Sequence, residues 1–230
     1  MATERYVMTD VFENKETLIK AMVSSILDSL QSAIQKNGTA NILLSGGSTP
    51  GPLYRLLDQE CDFLDKVTIG LLDERYVDVT SESSNEKYIR SCFTKYPEDY
   101  YTFKGMVYDT SDEKRNLEIV RTQYEDFIEH TDVVILGMGP DGHTASIFPN
   151  DPESEIARTT TDKELYSTKA PSDPTNRITC SLEMITSATT VYLLFYGKEK
   201  WDVLNNVEKS FPIHDVFRKR DVKLYCLDHD

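Results

Sequence analysis

The sequence predicts an α/β fold: a mainly parallel, doubly wound sheet of modified Rossmann-like type, with helices on both faces. Two observations predict it. Five short apolar runs, at 41–44, 67–72, 133–136, 191–196 and 222–227, are each bounded by turn residues and have the length of buried strands. Helical stretches separate them, around 52–60, 84–95, 112–129 and 199–208. Continuous apolar strands alternating with helices mark a parallel sheet covered on both faces. The 230 residues, 39% of them hydrophobic, can fill one core, so residues 1–230 are read as a single domain.

The first element is a helix. Leu18, Ile19, Met22, Val23, Ile26, Leu27, Leu30, Ala33 and Ile34 repeat at helical spacing, and Asn37-Gly38 supplies the stop. The stretch 150–176 is polar and contains Pro152, Pro171 and Pro174, so it reads as an irregular excursion from the domain.

In an open parallel sheet, ligands bind beyond the carboxyl ends of the strands, where loops enter helices. Four such ends carry chemistry here. After the strand at 41–44 comes Ser45-Gly46-Gly47-Ser48-Thr49-Pro50. Its glycines allow close backbone approach and positive φ, its hydroxyls can donate, and Ser48 or Thr49 can cap a helix entered through Pro50. Such a turn suits a phosphate group. It is neither a P-loop, lacking Gly-Lys-Ser/Thr, nor a nucleophile elbow, because Pro50 stands where a glycine is needed. An ordinary tight turn is the plainer alternative.

After 67–72 comes Asp73-Glu74-Arg75. An arginine between two acids can clamp a phosphate or carboxylate while the acids hold its orientation. The competing reading is a surface ion-pair cluster. The fourth strand end combines Arg177, after the Pro-rich stretch, with Lys200, in the first helical turn after 191–196. A lysine there opposes the helix dipole, so it is either solvated or beside a bound anion.

The third strand end is the most informative: Gly137-Met138-Gly139-Pro140-Asp141-Gly142-His143-Thr144-Ala145-Ser146-Ile147-Phe148-Pro149. Gly137, Gly139 and Gly142 satisfy G-x-G-x-x-G, but a dinucleotide site needs a further strand ending in an acid about 20 residues on. Phe148-Pro149-Asn150-Asp151-Pro152 supports no such strand. The glycines are therefore read as shaping a loop that presents His143, with Asp141 close enough to influence it. His130, His214 and His229 have no comparable setting.

Composition narrows the partners. A formal net charge of −14 repels nucleic acid and anionic membrane, so attraction for an anionic substrate must come from local cations and backbone N–H groups. No apolar stretch approaches the ~20 residues that span a bilayer. The start, Met1 to Tyr6, lacks a secretory apolar segment. Cys61, Cys92, Cys180 and Cys226 are scattered, as reduced cytosolic thiols are, and no metal-ligand spacing occurs. A cytoplasmic protein without metal or cofactor is expected, with a monomer as the default oligomeric state.

Together the motifs resemble the 6-phosphogluconolactonases of the pentose phosphate pathway. The resemblance runs along most of the chain: LSGGSTP, DERYV, Ser84-Asn85, GMGPDGHTASIFP, Arg177-Ile178-Thr179 and Gly197-x-x-Lys200, in that family's order. It implies hydrolysis of 6-phospho-D-glucono-1,5-lactone, with a catalytic group of His143, Asp141 and Arg75. His143 would be the general base on water, suited by the ordinary imidazole pKa of ~6.5. It further implies that Gly46, Gly47, Ser48, Thr49, Asp73, Arg75, Gly142, Arg177 and Lys200 bind substrate and its phosphate. The oxyanion would lie against loop N–H groups around Gly46-Gly47 or Gly139.

The related sugar-phosphate isomerase/deaminase branch is similar in the glycine loop and the DGH element. It has an acid within the stretch where this chain reads Ala145-Ser146-Ile147-Phe148, and a tyrosine in place of Arg75. A non-catalytic sugar-phosphate sensor on the same fold is the second alternative. Departures from the lactonase pattern are Asn150, where glycine is common, and the short acidic end Cys226 to Asp230.

Overall fold

The structure is a computed structural model that describes residue 12 and residues 14–206 and 210–227. The readings made on Met1 to Tyr6, on the end of the 199–208 helix, and on His229 in the acidic end therefore lie outside the described residues.

α1 (Lys15–Asn37) begins at Asn14, whose side chain accepts the Thr17 N–H at 3.0 Å. It ends at Gly38, in the left-handed region with φ 85°, where the amide donates back to Ile34. Leu18, Met22, Ile26, Leu30 and Ala33 form its buried stripe, spaced as a helix face requires. β1 (Ala40–Leu44), α2 (Gly51–Glu60), β2 (Val67–Leu71), β3 (Asp73–Arg75), α3 (Asn85–Arg90) and β4 (Thr102–Lys104) follow. Next come α4 (Glu113–Gln123), α5 (Glu125–Glu129), β5 (Val133–Leu136) and α6 (Pro152–Thr159). The chain closes through β6 (Leu165–Lys169), β7 (Asn176–Cys180), α7 (Leu182–Thr186), β8 (Thr190–Tyr196), α8 (Lys198–Asn205), α9 (Pro212–Lys219) and β9 (Val222–Leu227).

Six strands form one parallel sheet in the order β4-β2-β1-β5-β8-β9. Every residue of β5 is buried, so the central strand is covered on both faces, as the sequence predicts. The helix expected over 112–129 breaks at Tyr124, whose ring is fully buried. Its hydroxyl accepts the Leu71 amide at 2.8 Å.

Two expectations are corrected. The stretch 150–176 is not irregular: Asp151 caps α6, accepting from the Ser154 N–H at 2.8 Å, and Pro152 takes the first helical turn, where it loses no hydrogen bond. β6 follows within the same stretch. A second, antiparallel sheet, β3-β7-β6, went unread because β3 is three charged residues. This small sheet holds Arg75 and Arg177.

Candidate active site

The carboxyl ends of β1, β2, β5 and β8 and the edge of the small sheet enclose a cavity of about 350 Å³. The sequence-predicted residues Gly46, Gly47, Thr49, Asp73, Arg75, His143, Arg177 and Lys200 all line it. Ser45, Asn85, Gly137, Ser146, Phe148 and Ser172 join them.

The β5 turn is built around His143. Gly139 donates its N–H to the His143 carbonyl at 3.0 Å and accepts from Gly142 at 3.1 Å, folding the loop back on itself. Asp141 Oδ1 lies 2.5 Å from His143 Nδ1. Burial, the largest single influence, raises the Asp141 carboxyl, but the hydrogen bond and charge of His143 outweigh it and hold it below its ordinary value. An ionised carboxylate can only accept, so Nδ1 carries the proton and Nε2 is left as the basic nitrogen. The imidazole also packs on Phe148, centroids 4.7 Å apart. A Cβ on Gly139 would stand 2.2 Å from His143 Cε1, so a side chain there would displace the imidazole.

The remainder of the turn is tied to the small sheet. Thr144 Oγ1 donates to the Gly137 carbonyl at 2.9 Å. Ser146 donates its amide to Thr179 Oγ1 at 3.2 Å, and Thr168 Oγ1 donates to its carbonyl at 2.7 Å. Ser146 Oγ donates to the buried carboxylate of Asp73 at 2.5 Å. Ala145 and Asn150 both have positive φ, 47° and 66°. The second value lies in the left-handed region, which asparagine tolerates and glycine adopts freely.

Cations line the same cavity. Arg75 and Arg177 are register partners in the β3–β7 ladder. Burial pulls the Arg177 guanidinium below its ordinary value, and the charge of Arg75 pulls it further. Its Nε is buried without a partner among the described residues. Two neighbouring cations that line one cavity are an arrangement that can hold an anion.

Several readings change. The acids do not orient the Arg75 guanidinium: Nη1 donates to the Ser83 carbonyl at 2.7 Å, while Glu74 accepts the amides of Arg75, Asn85 and Glu86 and the Ser84 hydroxyl. Burial dominates at Glu74 and pushes its carboxyl up to about 7 against those donors. Ser48 is exposed and outside the cavity lining, because α2 starts only at Gly51, with Pro50 as N-cap and no side-chain cap. Gly142 also lies off the lining. A side chain there would meet Phe211 at 2.5 Å, and its carbonyl accepts the Ile213 amide at 3.2 Å, so it serves the turn itself. Asp141 likewise reaches the cavity only through His143.

Sequence reasoning missed Asn85 as a lining residue. Its amide nitrogen donates to the Asp73 carbonyl at 2.9 Å, and its side chain fills the space a Cβ on Gly46 would need. Gly47, at φ 90°, makes the turn beside it. Elsewhere His130 pairs with Asp132 at 2.8 Å and His214 Nε2 bonds the Leu204 carbonyl at 3.0 Å, and neither lines the cavity. Among the described residues no helix is long and apolar enough to cross a membrane.

Residues 13–225 match the family model for glucosamine-6-phosphate isomerases/6-phosphogluconolactonase. A 6-phosphogluconolactonase of Caulobacter vibrioides is 30% identical over 229 residues, covering 95% of each chain. One from Rhizobium meliloti is 31% identical, covering 91% of this chain and 93% of its own. The crystal structure of a 6-phosphogluconolactonase from Shewanella baltica superposes with a TM-score of 0.88 at 30% identity, over 98% of this chain and 99% of that one. The chain belongs to the glucosamine-6-phosphate isomerase/6-phosphogluconolactonase family, and its similarity runs to the lactonases within it.

Proposed function

We propose that the protein hydrolyses 6-phospho-D-glucono-1,5-lactone to 6-phospho-D-gluconate, with His143 as general base. The observation that carries this reading is the Asp141–His143 pair at 2.5 Å, with His143 in a cavity that Arg75 and Arg177 also line. Water adds to the lactone carbonyl carbon and gives its proton to His143 Nε2, while the carbonyl π electrons move to oxygen. The tetrahedral intermediate collapses, the bond to the ring oxygen breaks, and the imidazolium protonates that oxygen as it leaves. Asp141 fixes the tautomer that makes this possible. General base catalysis of this kind contributes on the order of 10²–10⁴-fold.

Arg75, Arg177 and Lys200 hold the phosphate, with Gly46, Gly47 and Thr49 beside them. Asp73, anchored by Ser146, accepts from sugar hydroxyls. The enzyme works in the cytoplasm as a monomer and needs no metal or cofactor, since the lactone is already an activated ester.

The test is formation of 6-phosphogluconate, read through excess 6-phosphogluconate dehydrogenase and corrected for spontaneous lactone opening. A rate no faster than the spontaneous one rejects the proposal. Ammonia release from glucosamine 6-phosphate would instead assign the isomerase activity.

A further inference from the structure

The cavity floor lies where the strand order reverses. From β1 the sheet runs outward through β2 and β4, and from the adjacent β5 it runs the other way through β8 and β9. Loops leaving β1 and β5 therefore diverge and open a crevice between them. The chain leaving β5 then closes a small hairpin of its own. The Ile147 amide donates to the Thr144 carbonyl at 3.0 Å, these two residues form an antiparallel bridge, and Ala145 takes φ 47° between them. Positive φ at a first central residue belongs to the primed turns that suit tight hairpins. Residues flanking such a bridge are cross-strand neighbours, near enough for rings to touch. Here they are His143 and Phe148.

Phe148 is buried and lines the cavity. Its backbone is fixed from α6. The buried Ser154 hydroxyl donates to Asp151 at 2.6 Å and accepts the Phe148 amide at 3.0 Å. Its ring meets two functional groups. The imidazole of His143 lies 4.7 Å away between centroids, with the planes tilted by 46°. The guanidinium carbon of Arg177 stands 6.0 Å from the same ring centroid, within reach of a cation–π attraction. The histidine belongs to the turn after β5 in the parallel sheet, and the arginine to β7 in the small antiparallel sheet. Phe148 touches both. One hydrogen bond at Nδ1 does not fix the tilt of an imidazole, and an aromatic ring packed against it does.

We propose that Phe148 is a positioning residue for the reaction: its ring sets the His143 imidazole and the Arg177 guanidinium relative to each other. This inference rests on the lactone-hydrolysis reading above. Phe148 takes no proton and forms no bond to the substrate. Without the ring, Nε2 of His143 is no longer aimed at the attacking water, and the Arg177 guanidinium loses a favourable neighbour that helps to hold it in place. The first loss falls on turnover and the second on affinity for the phosphate.

The test compares wild type with Phe148→Leu, which keeps an apolar side chain but no ring, at a temperature where melting curves show both folded. On the phosphorylated lactone kcat should fall on the order of 10-fold, because the base is misaligned. Binding of 6-phosphogluconate, measured by calorimetry, should weaken about fivefold. That weakening should vanish when the same change is made in Arg177→Ala, because the contact it removes is already gone. Phe148→Tyr, which keeps the ring, should stay within about threefold of wild type in both quantities. An unchanged kcat in Phe148→Leu overturns the proposal. So does a weakening of product binding that persists in Arg177→Ala, or a tyrosine variant as slow as the leucine one, since either marks Phe148 as core packing alone. If Phe148→Leu does not fold, Phe148→Met takes its place in the same measurements. Absence of turnover in the wild type would show, before any variant is made, that the underlying reading has failed and this one with it.

Discussion

Arg75 and Arg177 face each other across one rung of the antiparallel β3–β7 ladder. Like charges on opposed strand residues repel, and burial of Arg177 strengthens the effect. A bound phosphate reverses the sign of this contact. Arg177→Ala is therefore expected to raise KM for the phosphorylated lactone by on the order of 10²-fold, the loss expected for a buried charge-assisted contact, while unphosphorylated gluconolactone is little affected. In melting experiments 6-phosphogluconate should stabilise the wild type far more than the variant. Equal kinetic effects on both lactones would show that Arg177 does not read the phosphate.

His143→Ala should fold and bind 6-phosphogluconate, because the imidazole acts in the transition state. Its kcat should fall by roughly 10²–10⁴-fold. A near-normal kcat measured in the coupled assay would remove His143 from the mechanism and revive the sensor reading.

Asp141→Asn tests the tautomer. An amide can donate to Nδ1, which moves the ring proton to Nε2, so kcat should drop with little change in KM. Stability carries a second signature. The Asp141 carboxyl is held below its ordinary 3.8, so its contribution is present above that pH and is lost as pH falls through the folded-state value. Denaturant midpoints of wild type and variant should differ at neutral pH and converge in acid. A gap that stays constant as the pH is lowered well past 3.8 would contradict the assignment.

Glu74 has the opposite sign. Its folded-state value of about 7 exceeds the ordinary 4.5, so the folded protein holds that proton more tightly. Stability from this group is complete below 4.5 and disappears as pH rises through 7, a loss of roughly 3 kcal/mol. Glu74→Gln should flatten the decline in Tm between these pH values. The same slope in both proteins would place the titration elsewhere.

Gly139→Ala asks what the glycines do. A Cβ 2.3 Å from His143 Nδ1 must push the imidazole aside. Displacements on the order of 1 Å cost ~10²-fold in rate, so the variant should be folded and slow. Calorimetry should detect no NAD or NADP binding to the wild type. Micromolar nucleotide affinity would restore the dinucleotide reading of the same glycines.

The parallel sheet was legible because its strands are continuous apolar runs, and four of its ends carry the chemistry. His143 was legible for a similar reason: few roles explain a histidine held in a glycine-rich turn at a strand end. What stayed hidden depends on partners distant in sequence. Gly142 resembled a ligand contact until Phe211 and Ile213 were seen against it. Ser48 resembled a cap, but the helix starts too late for its hydroxyl to reach the first free amides. β3 has no apolar pattern at all and is a strand only because β7 pairs with it.

The adjacency of β1 and β5 also bears on how the chain is made. β1 is complete at Leu44, but the strand that covers its second edge begins only at Val133. At ordinary translation rates of ~5–20 residues per second, a nascent chain presents that apolar edge unpaired for on the order of ten seconds. The ladder that sets Arg75 beside Arg177 closes later still, when the ribosome has released β7, and the Ile213 amide that bonds the histidine turn comes after that. Contacts this distant make folding slow relative to local helix formation, and they leave an edge open to pairing with other chains. The same strand order that opens the crevice thus leaves the unfinished polypeptide with one unpaired apolar strand edge until β5 emerges.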